Sequence, residues 1–142
     1  GKMSKSQGNV ILLSDSKETV EKKVRGMYTD PNRIRADIPG KVEGNPVFQY
    51  LDAFTENDAN VEDFKARYKQ GNIGDVEIKT YLANILNVFL DPIREKRAYF
   101  ESNMNLVEDA LDKGVSNARI SANETMELVR DKMKVSTYKK IW

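Results

Sequence analysis

From residue 15 onward, apolar positions recur at three- and four-residue steps, the period of helices that bury one side. Val20, Val24 and Met27 fall on one face of a first helix, 16–27, with lysines opposite and Asp15 and Glu18 in capping-box spacing at its start. Asn45-Pro46 reads as an N-cap followed by proline at the first helical position. It opens a second helix, 46–54, that Val47, Phe48, Tyr50, Leu51 and Phe54 make apolar nearly all round. Asn60 is the expected cap of a third helix, 61–70, striped by Val61, Phe64 and Tyr68 and ended by Gly71. The longest helix, 76–102, carries Ile78, Leu82, Ile85, Phe89 and Ile93. Pro92 should kink it without ending it, because the period continues through Ile93. A fifth helix, 105–113, closes at Gly114, and Val115, Ala118, Ala122, Met126, Val129 and Met133 mark a sixth whose alanines allow close approach to the central helix. The reading is all-α, with about six helices in a bundle.

Two stretches depart from that period. Residues 10–13 form a short apolar run that reads as a single strand with no strand partner elsewhere, the edge of a sheet that lies outside the chain. Residues 28–45 contain two prolines, two glycines and several Asx residues, a long irregular connection of the kind that often carries function. The division expected is 1–13 and 14–142. At the end, Ser-Thr-Tyr-Lys-Lys-Ile-Trp has no pattern, and Trp142 reads as a docked anchor or, in preference, as a frayed tail.

Composition narrows the chemistry. The 142 residues can bury one ordinary core, or form two small helical units that share one. Charged residues make up 32% of the chain but nearly cancel to +1, so a nucleic-acid partner requires a local basic patch. The chain has no cysteine and no histidine, which removes disulfides, thiolate metal sites and the commonest general base. No apolar run approaches the roughly 18 residues of a membrane span and no signal-peptide pattern is present, so a soluble, cytoplasmic protein is expected. No self-contained catalytic constellation is recognisable. Any catalytic part it plays is as a piece of something larger.

Two segments carry candidate chemistry. Gly1-Lys2-Met3-Ser4-Lys5-Ser6-Gln7-Gly8-Asn9 is a flexible loop with two lysines three apart between hydroxyl residues. It can bring two ammonium groups to one polyanion and stabilise a departing pyrophosphate, or it is a solvated terminus. The 28–45 connection sets Arg33, Arg35 and Lys41 against Asp30, Asp37 and Glu43. It is either a solvated loop with internal ion pairs or a loop that contacts phosphates and bases. The Arg94, Lys96 and Arg97 run reads as a solvated face.

Residues 2–6 spell the KMSKS signature of class I aminoacyl-tRNA synthetases. With Gly8-Asn9, Met27-Tyr28-Thr29-Asp30-Pro31, Gly44-Asn45-Pro46-Val47-Phe48, Leu90-Asp91-Pro92-Ile93-Arg94-Glu95-Lys96-Arg97 and the Ala-rich last helix, the chain resembles the bacterial tryptophanyl-tRNA synthetase family from end to end. It is more distantly similar to the tyrosyl-tRNA synthetases. The resemblance implies a C-terminal fragment from the KMSKS loop onward: a loop and strand remnant of a missing Rossmann-type catalytic domain, then the helical anticodon-binding domain. The full enzyme would activate tryptophan with ATP and Mg²⁺, transfer it to tRNA-Trp and act as a homodimer; the fragment alone would be inactive and hold no cofactor. Lys2 and Lys5 would hold the ATP phosphates, Lys5 foremost, with Met3, Ser4 and Ser6 shaping the loop. Asp30, Arg33, Arg35 and Lys79 are the implied anticodon-binding candidates, although Arg33 and Arg35 can instead pair with Asp30, Asp37 or Glu43. An independent helical RNA-binding module and a purely structural or interaction domain are the alternatives.

Overall fold

The computed structural model describes residues 10–28, 30–33 and 35–135. Among these residues the fold is all-helical, with five helices: α1 (Lys17–Arg25), α2 (Pro46–Phe54), α3 (Ala59–Gln70), α4 (Asp75–Ser102) and α5 (Met104–Lys132). The chain divides into two compact units, Gly1–Glu95 and Lys96–Trp142, and the division falls within α4.

Local chemistry explains where each helix of the first unit begins and ends. The Ser16 side chain accepts from the Thr19 amide, Glu18 lies in the first turn, and Lys22, Lys23 and Arg25 lie in the last, so α1 matches the helix dipole at both ends. Asn45 accepts from the Val47 amide and Pro46 occupies the first turn of α2, as the sequence indicates. The cap of α3 is Asp58, which accepts from the Asn60 amide, so the helix starts two residues before the expected position. Either Asx residue is a competent cap, and the sequence alone does not rank them. Gly71 ends α3 at φ +73°, a left-handed conformation that an L side chain rarely adopts. A Cβ there would lie 2.6 Å from the Asp37 carbonyl oxygen.

The core of this unit gathers Val20 and Val24 from α1, Val47, Phe48 and Leu51 from α2, Val61, Phe64 and Tyr68 from α3, and Ile78, Leu82, Leu86 and Leu90 from α4. The Phe48 and Tyr68 rings meet edge to face at 5.1 Å, and Phe64 meets Tyr81 in the same way at 5.1 Å. The buried α4 stripe runs through Ile78, Leu82, Leu86 and Leu90; of the expected positions Ile85 and Ile93 are only partly buried and Phe89 is exposed, while the helix continues through Pro92 as expected. Burying each large aliphatic side chain in this cluster contributes about 1.5–3 kcal/mol.

Three expectations are corrected. Residues 10–13 form no strand: the Leu12 amide donates to Asp15 Oδ2 at 2.8 Å and the Leu12 carbonyl accepts from the Asp15 amide at 3.0 Å, so a local turn engages groups that a ladder would need. There are five helices among the described residues, because the chain passes through Gly114 without a break. A glycine inside a helix costs only about 1 kcal/mol, too little to stop a helix propagating from both sides. The turn instead falls at Asn103, φ −131° and ψ 57°. Finally, α5 buries none of its residues, so its alanines pack into no core among the described residues.

Candidate nucleic-acid interface

The long connection between α1 and α2 is held by two buried cations. Lys79, in the second turn of α4, is 6% exposed, and its Nζ donates to the carbonyls of Arg25 at 3.1 Å and Met27 at 2.7 Å. These carbonyls lie at the C-terminal end of α1, where the helix dipole favours a cation. Burial lowers the Lys79 pKa, with the Asp75 charge opposing it. A cleft of about 100 Å³ lies beside it, lined by Glu21, Arg25, Thr80, Ala83 and Asn84.

Arg33 is 4% exposed. Its Nε donates to the Ile38 carbonyl at 2.8 Å, one terminal nitrogen donates to Asp75 Oδ2 at 2.5 Å, and the other donates to the carbonyls of Ala36 at 2.8 Å and Ile73. The guanidinium lies 4.2 Å from the centre of the Tyr68 ring. Tyr68 in turn donates its hydroxyl to Asp75 Oδ1 at 3.2 Å and accepts from the Asn45 side chain at 3.4 Å. Burial, then the neighbouring Asp75 charge, raises the Tyr68 pKa. One network therefore joins the connection, the end of α3, and the starts of α2 and α4. Gly40 completes the attachment: its amide donates to the Tyr68 carbonyl at 2.9 Å, and a Cβ there would strike the Tyr68 ring.

The other candidates face outward. Asp30 is half-buried; its Oδ1 accepts from the Asn32 amide at 2.9 Å and its carbonyl from the Arg33 amide at 2.9 Å, closing an Asx turn. Arg35 has a 74% exposed side chain that meets Asp37 Oδ2 at 2.8 Å. Such an exposed pair contributes little to stability and leaves other guanidinium donors facing solvent. The structure thus brings Asp30, Arg33 and Arg35 onto one loop seated on the first turn of α4, with Lys79 beneath its entry. Lys2, Met3, Ser4, Lys5, Ser6 and Trp142 lie outside the described residues.

Two residues gain importance only from the structure: Tyr28, whose ring is exposed at the loop entry, and Asp75, which pairs with buried Arg33. The signal for Tyr28 was its position just beyond the α1 stripe. Arg94, expected on a solvated face, has a side chain only 19% exposed and donates to the Asp15 carbonyl at 2.9 Å, Asp91 at 3.0 Å and Asn87 at 2.9 Å. Lys96 and Arg97 are exposed. Among the described residues, no group of three His, Cys, Asp or Glu side chains is placed to hold a metal, and no helix is long and apolar enough to cross a membrane.

The geometry defines a helical body with an irregular loop anchored to it, and comparison with known proteins supplies the family. The profile of the tRNA synthetases class I (W and Y) matches residues 1–91, and the chain belongs to that family. It is 53% identical over 135 residues to the tryptophan–tRNA ligase of Treponema pallidum and 55% identical over 136 residues to that of Chlamydia caviae. These alignments cover 95% and 96% of the chain but 40% and 39% of the relatives, so it spans about two-fifths of their length. Among solved structures, the tryptophanyl-tRNA synthetase of Campylobacter jejuni matches with a TM-score of 0.79 at 27% identity, over 94% of this chain and 42% of that one. The same enzyme complexed with ADP and tryptophan matches equally well.

Proposed function

We propose that the chain is the C-terminal part of a cytoplasmic tryptophan–tRNA ligase, and that its helical body binds the anticodon stem-loop of tRNA-Trp. The observation that carries this reading is the 28–41 loop, which two buried cations attach to α1 and α4 while Arg35 stays exposed. A loop held in one conformation loses little entropy when it meets RNA. Arg35 is the phosphate- or base-contacting cation, and Asp30 shapes the turn beside it. Arg33 and Lys79 belong to the same anticodon-facing region as its internal supports.

Lys2 and Lys5 hold the ATP phosphates in the whole ligase, with Met3, Ser4 and Ser6 forming their loop; lysine ammonium groups and serine hydroxyls are suitable donors for that polyanion. ATP would arrive with Mg²⁺ as its counter-ion, and the two lysines would add to the charge that the ion supplies on the phosphates. The catalytic domain and a second copy of the ligase are the protein partners.

The test is binding of the chain to tRNA-Trp and to the same tRNA with a changed anticodon, at two salt concentrations. Preferential binding to the native anticodon, weakened by Arg35→Ala, supports the reading. Equal affinity for both tRNAs at every salt concentration would overturn it.

A further inference from the structure

Tyr28 stands apart from the other described tyrosines. Tyr68 is buried against Arg33 and Asp75, and Tyr81 donates to Asp58 at 2.6 Å. Tyr50 stacks on Phe54 at 6.1 Å, and Tyr99 meets Phe100 edge to face at 5.3 Å. Tyr28 is 53% exposed and has no ring or hydrogen-bond partner among the described residues.

Its backbone surroundings are nevertheless fixed. On one side the Met27 amide donates to the Val24 carbonyl at 3.1 Å and the Met27 carbonyl accepts from buried Lys79 at 2.7 Å. On the other side lies the Asp30 turn, followed by the Arg33 anchor. The exposed ring therefore lies between two anchored points of the chain, Met27 and the Asp30 turn. Exposed Lys22 and Arg25 precede it, and exposed Arg35 follows it in the chain. An exposed aromatic face with exposed cations on either side of it in the chain is a combination suited to holding unpaired bases and their phosphates.

We propose that Tyr28 is the stacking platform for an unpaired base of the RNA loop, and that Lys79 and Arg33 are the positioning residues that fix its support. The inference rests on the RNA-binding reading above and adds to it the group that meets the base. A stacked ring accepts any base by its π-face, so Tyr28 supplies affinity and registers the loop, while selection among bases falls to polar neighbours. The phenolic hydroxyl is not required, because the ring carries the contact.

The experiment uses the 142-residue chain and a short RNA hairpin whose unpaired loop carries 2-aminopurine at one position, scanned along the loop. Stacking on Tyr28 quenches the probe at one position. Tyr28→Ala should lose that quench and weaken binding by at least about fivefold. Tyr28→Phe should retain both. Tyr99→Ala, a control at another exposed tyrosine, should behave as the parent chain. Unchanged melting of Tyr28→Ala separates loss of stacking from loss of fold. Hairpin binding by the parent chain that Tyr28→Ala leaves intact, or an equal loss in Tyr99→Ala, would overturn this assignment and leave the RNA-binding reading standing. Failure of the parent chain to bind the hairpin would overturn both.

Discussion

Arg33 illustrates how a side chain's role depends on what lies beneath it. In the sequence it is one of three cations in an irregular loop, with three acids nearby as the apparent alternatives to RNA. Its actual carboxylate partner, Asp75, lies 42 residues away, and no local pattern reveals that pairing. Arg33→Ala would leave Asp75 without its cation and three loop carbonyls without this donor. The expected loss is about 3–5 kcal/mol of stability, read by urea denaturation. Arg33→Lys should recover little, because one ammonium cannot reproduce the planar fork that serves these acceptors. Near-parental stability of either variant would show that the network is not holding the loop. Asp15 makes the corresponding pH prediction. Burial alone would raise its pKa, but hydrogen bonds from Lys23 and the Leu12 amide, with the Lys23 and Arg94 charges, outweigh burial and lower it. A carboxyl with a depressed folded value contributes stability above its unfolded pKa and loses that contribution as the pH falls through the folded one. Between about pH 5 and pH 2, Asp15→Asn should therefore flatten the acid limb of stability against pH. An unchanged difference between the two proteins across that range would refute the assignment.

At the scale of elements, legibility depended on whether the deciding signal was local. The α2 boundaries followed from Asn45-Pro46, and α3 ended at Gly71 as expected, because caps and left-handed glycines act within a few residues. The break expected at Gly114 did not form, because the backbone there stays helical and the turn falls at Asn103 instead. The two glycines should respond oppositely to alanine. Gly71→Ala forces a side chain into positive φ against the Asp37 carbonyl and should cost more than about 1 kcal/mol in denaturation. At Gly114 an added Cβ meets nothing within 4 Å. Gly114→Ala should stabilise α5 by about 0.5–1 kcal/mol, seen as slower amide exchange in the turns around it. Exchange that stays the same or quickens would indicate that α5 is interrupted there after all.

For the molecule as a whole, the all-helical class and the stripe of α3 were readable because helical periodicity is local, whereas the stripe expected on the last helix covers no core. The identity of the outward-facing groups was not readable, since exposure follows from how the pieces pack: Arg33, Arg94 and Lys79 turned inward while Tyr28 stayed out. That sorting bears on the RNA binding proposed above. With a net charge of only +1, no global field draws in a polyanion, so affinity must come from local exposed cations, among them Lys22 and Arg25 on α1 and Arg35 and Lys41 on the connection that follows it. Neutralising about two to four phosphates of a single-stranded loop predicts a slope of log affinity against log salt of about −1.5 to −3. Removing one contacting cation should reduce its magnitude by about one charge's share, so Arg35→Ala should give a shallower slope as well as a weaker complex. Lys96→Ala, exposed in the second unit, should shift neither. The comparison separates a local patch from diffuse attraction. If Lys96→Ala flattens the slope as much as Arg35→Ala does, the contact is spread over the surface and the pinned loop has no special standing; if only Arg35→Ala does, the loop is where the RNA is held.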